Sequence, residues 1–157
     1  VCQLQFILNR YERYKEGNIT NTNIVKIFDR SIFEDRLFAF HNLLDQPSVF
    51  EYYERLWREK VNELVYNVGT PKLYVILDIK WDLFVKRLYE RSRDIEINNF
   101  EKNKLYFQLL NQSYSQYLKN ICDAYRIPYL VVDASKPLTE KMNIIMNKLK
   151  TLNIHNS

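Results

Sequence analysis

The sequence predicts an α/β fold in which helices flank a parallel β-sheet. Three apolar runs are predicted strands, at residues 24–28, 72–79 and 127–133, and the last two are continuous runs typical of strands covered on both faces. After an initial helix the predicted order is β, α, α, β, α, α, β, α, which indicates parallel strands joined by crossover helices. The 157 residues, 46% of them hydrophobic, suit a single domain, residues 1–157.

The N-terminal half is predicted to contain three helices. The first has an apolar face through Ile7 and is expected to stop at Gly17. Ser31 is placed to cap the second, and Glu34 three residues later completes a capping box. The third is expected to start at Pro47 and to run to about residue 66. The buried side of the second helix is predicted to consist of Leu37, Phe38, Phe40 and Leu44.

The C-terminal half is predicted to alternate helices with the last two strands. A helix should run from Trp81 to about Arg91, and a charged segment, ERSRDIEINN, should separate it from a long helix over about residues 100–125. The last strand precedes an amphipathic helix, LTEKMNIIMNKLK.

Composition narrows the class of partner. A net charge of +4 with a pI near 9.0 is a mild basic excess, which a phosphate ligand satisfies as well as nucleic acid does. Cys2 and Cys122 have neither metal-ligand nor disulfide-framework spacing, and His41 and His155 indicate no metal site. No stretch approaches the roughly 18 apolar residues of a membrane span. We therefore expect a cytoplasmic protein without a membrane or nucleic-acid partner.

The triplet Asp29-Arg30-Ser31 ends the first apolar run. An aspartate at the carboxyl end of a strand can accept a proton from an alcohol, and an adjacent arginine can hold that aspartate or a phosphate oxygen. The alternative is that both charges are solvated and that Ser31 is only a helix cap. The triplet alone favours the alternative, because short motifs are rarely specific.

A second cluster is basic and lies at the end of the predicted fourth helix. Arg87 and Arg91 are one helical turn apart, and Arg93 follows just beyond. Three guanidinium groups so close together suit a phosphate chain, although a solvated basic face is the common alternative. Glu96 directly after the cluster favours a phosphotransfer lid.

Taken in order, these motifs resemble those of the deoxynucleoside kinase family. Gln3 and Arg10 match a glutamine followed seven residues later by an arginine, and DRSIFED (residues 29–35) matches the acid-Arg-Ser triplet with its later aspartate. Arg87, Arg91, Arg93 and Glu96 fill the lid pattern RxxxRxRxxE. The resemblance covers nearly the whole chain, and small mycoplasma-like bacterial members resemble it most. It implies a P-loop kinase fold.

The resemblance also implies residue roles. Asp29 would be the general base for the sugar 5′-hydroxyl, and Arg30 would orient it and steady the transferring phosphoryl group. The three arginines of the lid would neutralise the ATP phosphates, and Glu96 would hold the 3′-hydroxyl. The nucleobase would be recognised by Gln3, Arg10 and Asp35. The implied reaction transfers the ATP γ-phosphoryl group to deoxyadenosine, deoxyguanosine or deoxycytidine in nucleotide salvage, by a homodimer.

The chain departs from the family in one large respect. Family members begin with a strand and a GxxxxGK[ST] loop that cradles phosphates and serves Mg²⁺. The first glycine here is Gly17, and no Gly-Lys pair occurs. We therefore expect the chain to correspond to the C-terminal two-thirds of a kinase, without the first strand, the phosphate loop and the Mg²⁺ ligands. The alternatives are a non-catalytic nucleoside-binding or subunit-interaction relic, or a nucleotide kinase resembling thymidylate kinase.

Overall fold

The computed structural model describes the backbone of residues 2–20 and 25–154 and the side chains of residues 7–16 and 25–154. Within those ranges the chain forms seven helices and a sheet of two strands, which confirms the α/β class. The helices are α1 (Cys2–Thr20), α2 (Ile32–Asn42), α3 (Pro47–Asn67), α4 (Trp81–Arg91), α5 (Asp94–Lys102), α6 (Lys104–Tyr125) and α7 (Leu138–Thr151). The strands are β1 (Tyr74–Asp78) and β2 (Tyr129–Asp133).

The two strands are parallel and begin and end in register. Tyr74 lies opposite Tyr129, and Asp78 lies opposite Asp133, so both strands place an aspartate at the carboxyl edge of the sheet. Helices α4, α5 and α6 form the crossover between them, as the sequence predicts. The prediction that both faces of the first of these strands are covered is wrong, because Leu77 is 51% exposed while its neighbour Ile76 is buried.

Residues 25–28, predicted to be a strand, are irregular. The side chain of Ile27 is 91% exposed. Strands β1 and β2 pair with each other, and neither pairs with residues 25–28. The segment is apolar as a strand would be, but it has no neighbouring strand among the described residues to satisfy the hydrogen bonds of an extended backbone.

Two expectations about the N-terminal helices are also wrong. Helix α1 continues through Gly17 to Thr20. A glycine inside a helix costs roughly 1 kcal/mol relative to an alanine, which is too little by itself to end the helix. Phe40 and Leu44 are exposed rather than buried. Leu44 lies beyond the end of α2, and Phe40 packs at the surface against the ring of Phe50.

The charged segment after α4 is more ordered than predicted. Its second half is helical, because Glu96 accepts a hydrogen bond from the backbone N–H of Arg93 (3.2 Å) and so starts α5. The long helix predicted over residues 100–125 is interrupted at Asn103, whose N–H turns back to the carbonyl oxygens of Asn99 and Phe100 (both 3.1 Å). Arg91 ends α4 and Arg93 directly precedes α5, so these two arginines flank the junction between α4 and α5.

The main core lies where α1, α2 and α3 meet the C-terminal end of α6. Its fully buried members come from all four helices, and burying each large side chain contributes roughly 1.5–3 kcal/mol. They are Ile7, Ile32, Phe33, Ala39, Tyr53, Val61, Leu64 and Cys122. This packing holds the first turn of α2, and with it the Asp29-Arg30-Ser31 turn, in one orientation.

Two side-chain hydrogen bonds also join neighbouring helices to α2. The indole N–H of Trp57 on α3 donates to the carbonyl oxygen of Ile32 at 2.7 Å. The hydroxyl of Tyr117 on α6 donates to the carbonyl oxygen of Phe33 at 3.1 Å. Both acceptors lie in the first turn of α2, so α3 and α6 are each bonded to that turn in addition to their apolar packing.

We expect Trp57→Phe to lower the free energy of unfolding by about 1–3 kcal/mol, because it removes a buried hydrogen bond and part of a ring. Tyr53→Phe, one turn earlier on the same face of α3, is the matched control. Its hydroxyl is buried without a hydrogen-bond partner, so its removal should change stability by less than about 1 kcal/mol. Urea unfolding of both variants gives the values, and equal losses would contradict the role assigned to Trp57.

Candidate active site

The Asp29-Arg30-Ser31 turn joins residues 25–28 to α2. Arg30 adopts a left-handed backbone conformation with φ of 63°, which is uncommon for a residue with a side chain. Ser31 then caps α2 as predicted: its hydroxyl accepts from the N–H of Phe33 (3.3 Å), and Glu34 accepts from the N–H of Ser31 (2.8 Å). Asp29 is exposed immediately before this strained residue.

Arg30 lies at a cavity of about 270 Å³ beside the carboxyl end of β1. Its guanidinium group lies 4.9 Å from the ring centre of Phe38, one of the aromatic side chains of α2. An arginine at the carboxyl edge of a parallel sheet is placed to receive an anion. The cavity is lined by Arg30, Leu77, Asp78, Ile79, Phe84, Phe107, Leu110, Asn111, Tyr114 and Ser115.

Several polar residues of this cavity were not anticipated from the sequence. Asp78 accepts a hydrogen bond from the hydroxyl of Ser115 (2.7 Å), and the amide of Asn111 donates to the carbonyl oxygen of Ile79 (2.9 Å). Asp78 could have been found, because it ends an apolar run as Asp29 does. Asn111 and Ser115 are one turn apart on α6, but nothing in their spacing says that this face meets the end of β1.

Arg10 and Asp35, which the sequence places 25 residues apart, form an ion pair. The Nε atom of Arg10 lies 3.6 Å from Oδ2 of Asp35, and Nη1 of Arg10 donates to the backbone oxygen of Asp29 at 3.0 Å. One arginine therefore links α1, α2 and the strained turn. Arg36 faces away from this pair and bonds Glu54 of α3 (Nε to Oε1, 2.9 Å). Gln3 belongs to α1, but its side chain lies outside the described residues.

The carboxyl group of Asp35 is buried, with only 7% of the residue exposed. Burial raises its pKa to about 6, although Arg10 acts in the opposite direction. Its Oδ2 atom has the ion pair with Arg10 but no hydrogen-bond donor, and the nearby hydroxyl of Tyr53 is also without a partner. Buried polar atoms left in this way are unusual and suit a ligand that supplies the missing hydrogen bonds.

The predicted lid residues lie on α4, at its junction with α5 and in the first turn of α5. Arg87 donates from Nη2 to the carbonyl oxygen of Ala134, directly after β2, at 2.8 Å. Arg91, Arg93 and Glu96 are exposed around the junction of α4 with α5. Within residues 7–16 and 25–154, no hydrogen bond or ion pair joins these three to Asp29, Arg30 or Asp35.

Residues 7–16 and 25–154 contain no group of three or more His, Cys, Asp or Glu side chains that could hold a metal ion. The side chains present do not by themselves fit a Mg²⁺ site. In the same ranges, no helix is both long enough and apolar enough to cross a membrane.

The amino-acid sequence of the chain matches a known family. The family model for deoxynucleoside kinase matches residues 1–153. The chain belongs to the deoxynucleoside kinase family. The coverage extends over every candidate site residue, from Gln3 to Glu96.

Three relatives illustrate the match. An uncharacterised protein of Mycoplasma genitalium is 49% identical over 94% of the chain, and its homologue in Mycoplasma pneumoniae is 43% identical over 97%. The chain spans only 64% and 65% of the lengths of these two proteins. A protein of Lactobacillus johnsonii named deoxyguanosine kinase is 25% identical over 97% of the chain and 71% of its own length. No solved structure is significantly similar.

The buried Asp35 predicts a pH-dependent stability. Because its pKa rises from an ordinary 3.8 to about 6 on folding, the folded state binds this proton more tightly than the unfolded state does. The resulting stabilisation is present below pH 4 and is lost as the pH rises through 6. Asp35→Asn should therefore be more stable than the natural chain at pH 7.5, by up to about 3 kcal/mol, and the gain should shrink toward pH 4.

Urea unfolding at pH 4, 5, 6 and 7.5 measures this difference. Asp45→Asn is the control, because Asp45 is an exposed aspartate just beyond the same helix. A stability difference for Asp35→Asn that stays constant with pH would contradict the assignment.

Proposed function

We propose that the protein is an ATP-dependent deoxynucleoside kinase, which transfers the γ-phosphoryl group of ATP to the 5′-hydroxyl of a deoxynucleoside. The observation that carries the proposal is the ion pair between Arg10 and Asp35, which is tied through Asp29 to the strained turn that holds Arg30. A polar pair able to recognise a base thus lies beside an arginine able to hold a phosphoryl group.

Asp29 and Arg30 are proposed to act on the reacting atoms. Asp29 is exposed and precedes the turn, so its carboxylate is free to take the proton of a sugar hydroxyl. Arg30 lies in the cavity at the end of β1, where its guanidinium group would orient Asp29 and stabilise charge on the transferring phosphoryl group.

The lid arginines are proposed to bind the phosphates of ATP. The bond from Arg87 to Ala134 brings the last turns of α4 to the carboxyl edge of the sheet, where parallel sheets bind nucleotides. Arg91 and Arg93 are exposed at the junction that follows, so their guanidinium groups are accessible to bound phosphates. Glu96 would then contact the sugar 3′-hydroxyl and favour deoxyribose.

Base recognition is proposed to involve Gln3, Arg10 and Asp35. Arginine donates hydrogen bonds, whereas a carboxyl group with a pKa near 6 can accept or donate according to pH. A carboxylate acceptor suits a base with an exocyclic amino group, which deoxyguanosine, deoxyadenosine and deoxycytidine have and thymidine lacks. The relative named deoxyguanosine kinase supports a substrate from this group.

Turnover is proposed to require a phosphate loop from outside these 157 residues. The sequence contains no GxxxxGK[ST] motif, and the described side chains offer no Mg²⁺ site. Because the chain spans about two thirds of its mycoplasma relatives, the remaining third is where we expect the loop and the metal ligands.

The direct test is a phosphoryl-transfer assay with ATP, Mg²⁺ and each deoxynucleoside, on this chain and on a version extended upstream to include any phosphate loop. Asp29→Asn should lower kcat at least about 100-fold, because it removes the general base. Asp123→Asn is the control: Asp123 is an exposed aspartate in the last turn of α6, two turns beyond the cavity residue Ser115, and its loss should leave kcat unchanged.

The outcomes separate the competing functions. Activity in the extended protein alone, lost with Asp29→Asn, supports a kinase whose loop lies upstream. Nucleoside binding by both proteins without turnover by either would favour the non-catalytic relic, and phosphorylation of nucleoside monophosphates instead would favour the thymidylate-kinase-like alternative.

We also propose a cytoplasmic homodimer that pairs through α1 and α3. Exposed apolar side chains on these helices support the proposal, among them Leu8 (40% exposed), Tyr52 (59%) and Tyr66 (90%). Light scattering after size exclusion should give twice the 19.1 kDa chain mass, and Tyr66→Glu should shift the dimer toward monomer. A monomer at all concentrations up to about 100 μM would reject the dimer.

A further inference from the structure

The hydroxyl group of Tyr114 is bound inside the protein although its ring lines the cavity. The hydroxyl donates to Oε2 of Glu34 at 2.9 Å, and Glu34 is only 2% exposed. Burial and the nearby carboxyl group of Glu34 both raise the pKa of Tyr114, so it stays protonated and remains a donor. Its ring is therefore held at both ends, by α6 and by the buried glutamate.

That ring in turn contacts the side chain on which Arg30 rests. The rings of Tyr114 and Phe38 meet edge to face with centres 6.4 Å apart. The guanidinium group of Arg30 lies over Phe38 at 4.9 Å, and Arg30 and Tyr114 line the same cavity. Four side chains are therefore in contact in the order Glu34, Tyr114, Phe38 and Arg30.

Arg30 needs such support more than most arginines do. Its left-handed backbone conformation costs roughly 1–2 kcal/mol and persists only where the surroundings enforce it. Among the described residues, its side chain has a cation–π contact with Phe38 and neither a hydrogen bond nor an ion pair. Its direction therefore depends on where the ring of Phe38 lies.

We propose that Tyr114, held by Glu34, is a positioning residue that fixes Phe38 and thereby aims the guanidinium group of Arg30 at the carboxyl end of β1. The proposal rests on the proposed function, in which Arg30 stabilises the transferring phosphoryl group. Because the hydroxyl of Tyr114 is bonded to Glu34, the proposed role of Tyr114 is exerted through Arg30.

Tyr117 provides a matched comparison on the same helix. It is also a half-buried tyrosine of α6 whose hydroxyl bonds the first turn of α2, but its acceptor is the backbone oxygen of Phe33 rather than Glu34. It does not line the cavity. Tyr114→Phe and Tyr117→Phe therefore each remove one tyrosine hydroxyl from α6. Only Tyr114 contacts Phe38, the ring over which Arg30 lies.

The first readout needs no catalytic activity and uses the 157-residue chain. The δ-methylene and Nε–H resonances of Arg30, assigned with Arg30→Lys, should be shifted upfield by the ring of Phe38. Tyr114→Phe should move them toward the values of an unstructured arginine, and Tyr117→Phe should leave them in place. Unmoved resonances in Tyr114→Phe, or equal movement in both variants, would overturn the proposal.

The second readout is kinetic and uses whichever form of the protein turns over. Tyr114→Phe should lower kcat about ten- to hundredfold, because a displaced Arg30 stabilises the transition state less well. The nucleoside KM should stay within about twofold of the natural value, because Arg30 is proposed to act on the phosphoryl group rather than on the nucleoside. Tyr117→Phe should leave kcat unchanged. In an Arg30→Ala background, Tyr114→Phe should have no further effect on kcat.

The two measurements test the proposed function and the positioning role of Tyr114 independently. If no form of the protein transfers phosphoryl groups, the proposed function fails, while the resonances of Arg30 still decide whether Tyr114 positions it. If the protein is active and Tyr114→Phe lowers kcat equally with and without Arg30, Tyr114 does not act through Arg30 and the positioning role is wrong.

Discussion

Both oxygens of the Glu34 carboxyl group accept hydrogen bonds in the interior, and the donors come from three elements. Oε1 accepts from the N–H of Ser31 and the hydroxyl of Tyr74 on β1 (3.1 Å), and Oε2 accepts from Tyr114 on α6. A buried carboxyl group is tolerated only when it is satisfied in this way. The turn before α2, strand β1 and helix α6 are consequently joined through one carboxyl group, next to the cavity that Arg30 and Tyr114 line.

The next residue, Asp35, has a second buried carboxyl group with different polar partners. Asp35 has an arginine at 3.6 Å and an oxygen without a hydrogen-bond donor, so burial raises its pKa. Adjacent acids on one helix thus differ: both oxygens of Glu34 accept hydrogen bonds, whereas Asp35 has one buried oxygen without a donor. Strained or unsatisfied groups of this kind are expected where a protein binds a ligand rather than in its structural core.

The sheet is the part of the fold with the least internal support. Two paired strands are marginal unless helices cover them, and Leu77, next to the carboxyl end of β1, leaves apolar surface exposed. The chain belongs to the deoxynucleoside kinase family, and the turn before α2 and the arginines around the junction of α4 with α5 both lie within the matched residues. The described residues contain no group of three or more His, Cys, Asp or Glu side chains that could hold a metal ion.

The sequence alone determined the α/β class, the capping box at Ser31 and Glu34, and the motifs that identify the family, because each depends on residues close together in the chain. It did not determine whether residues 25–28 form a strand, since an apolar run becomes a strand only when a neighbour pairs with it. Nor did it reveal Asp78, Asn111 or Tyr114 as cavity residues, because their roles arise where α6 crosses the end of β1. Tertiary packing decided these points, through contacts between residues up to 80 positions apart.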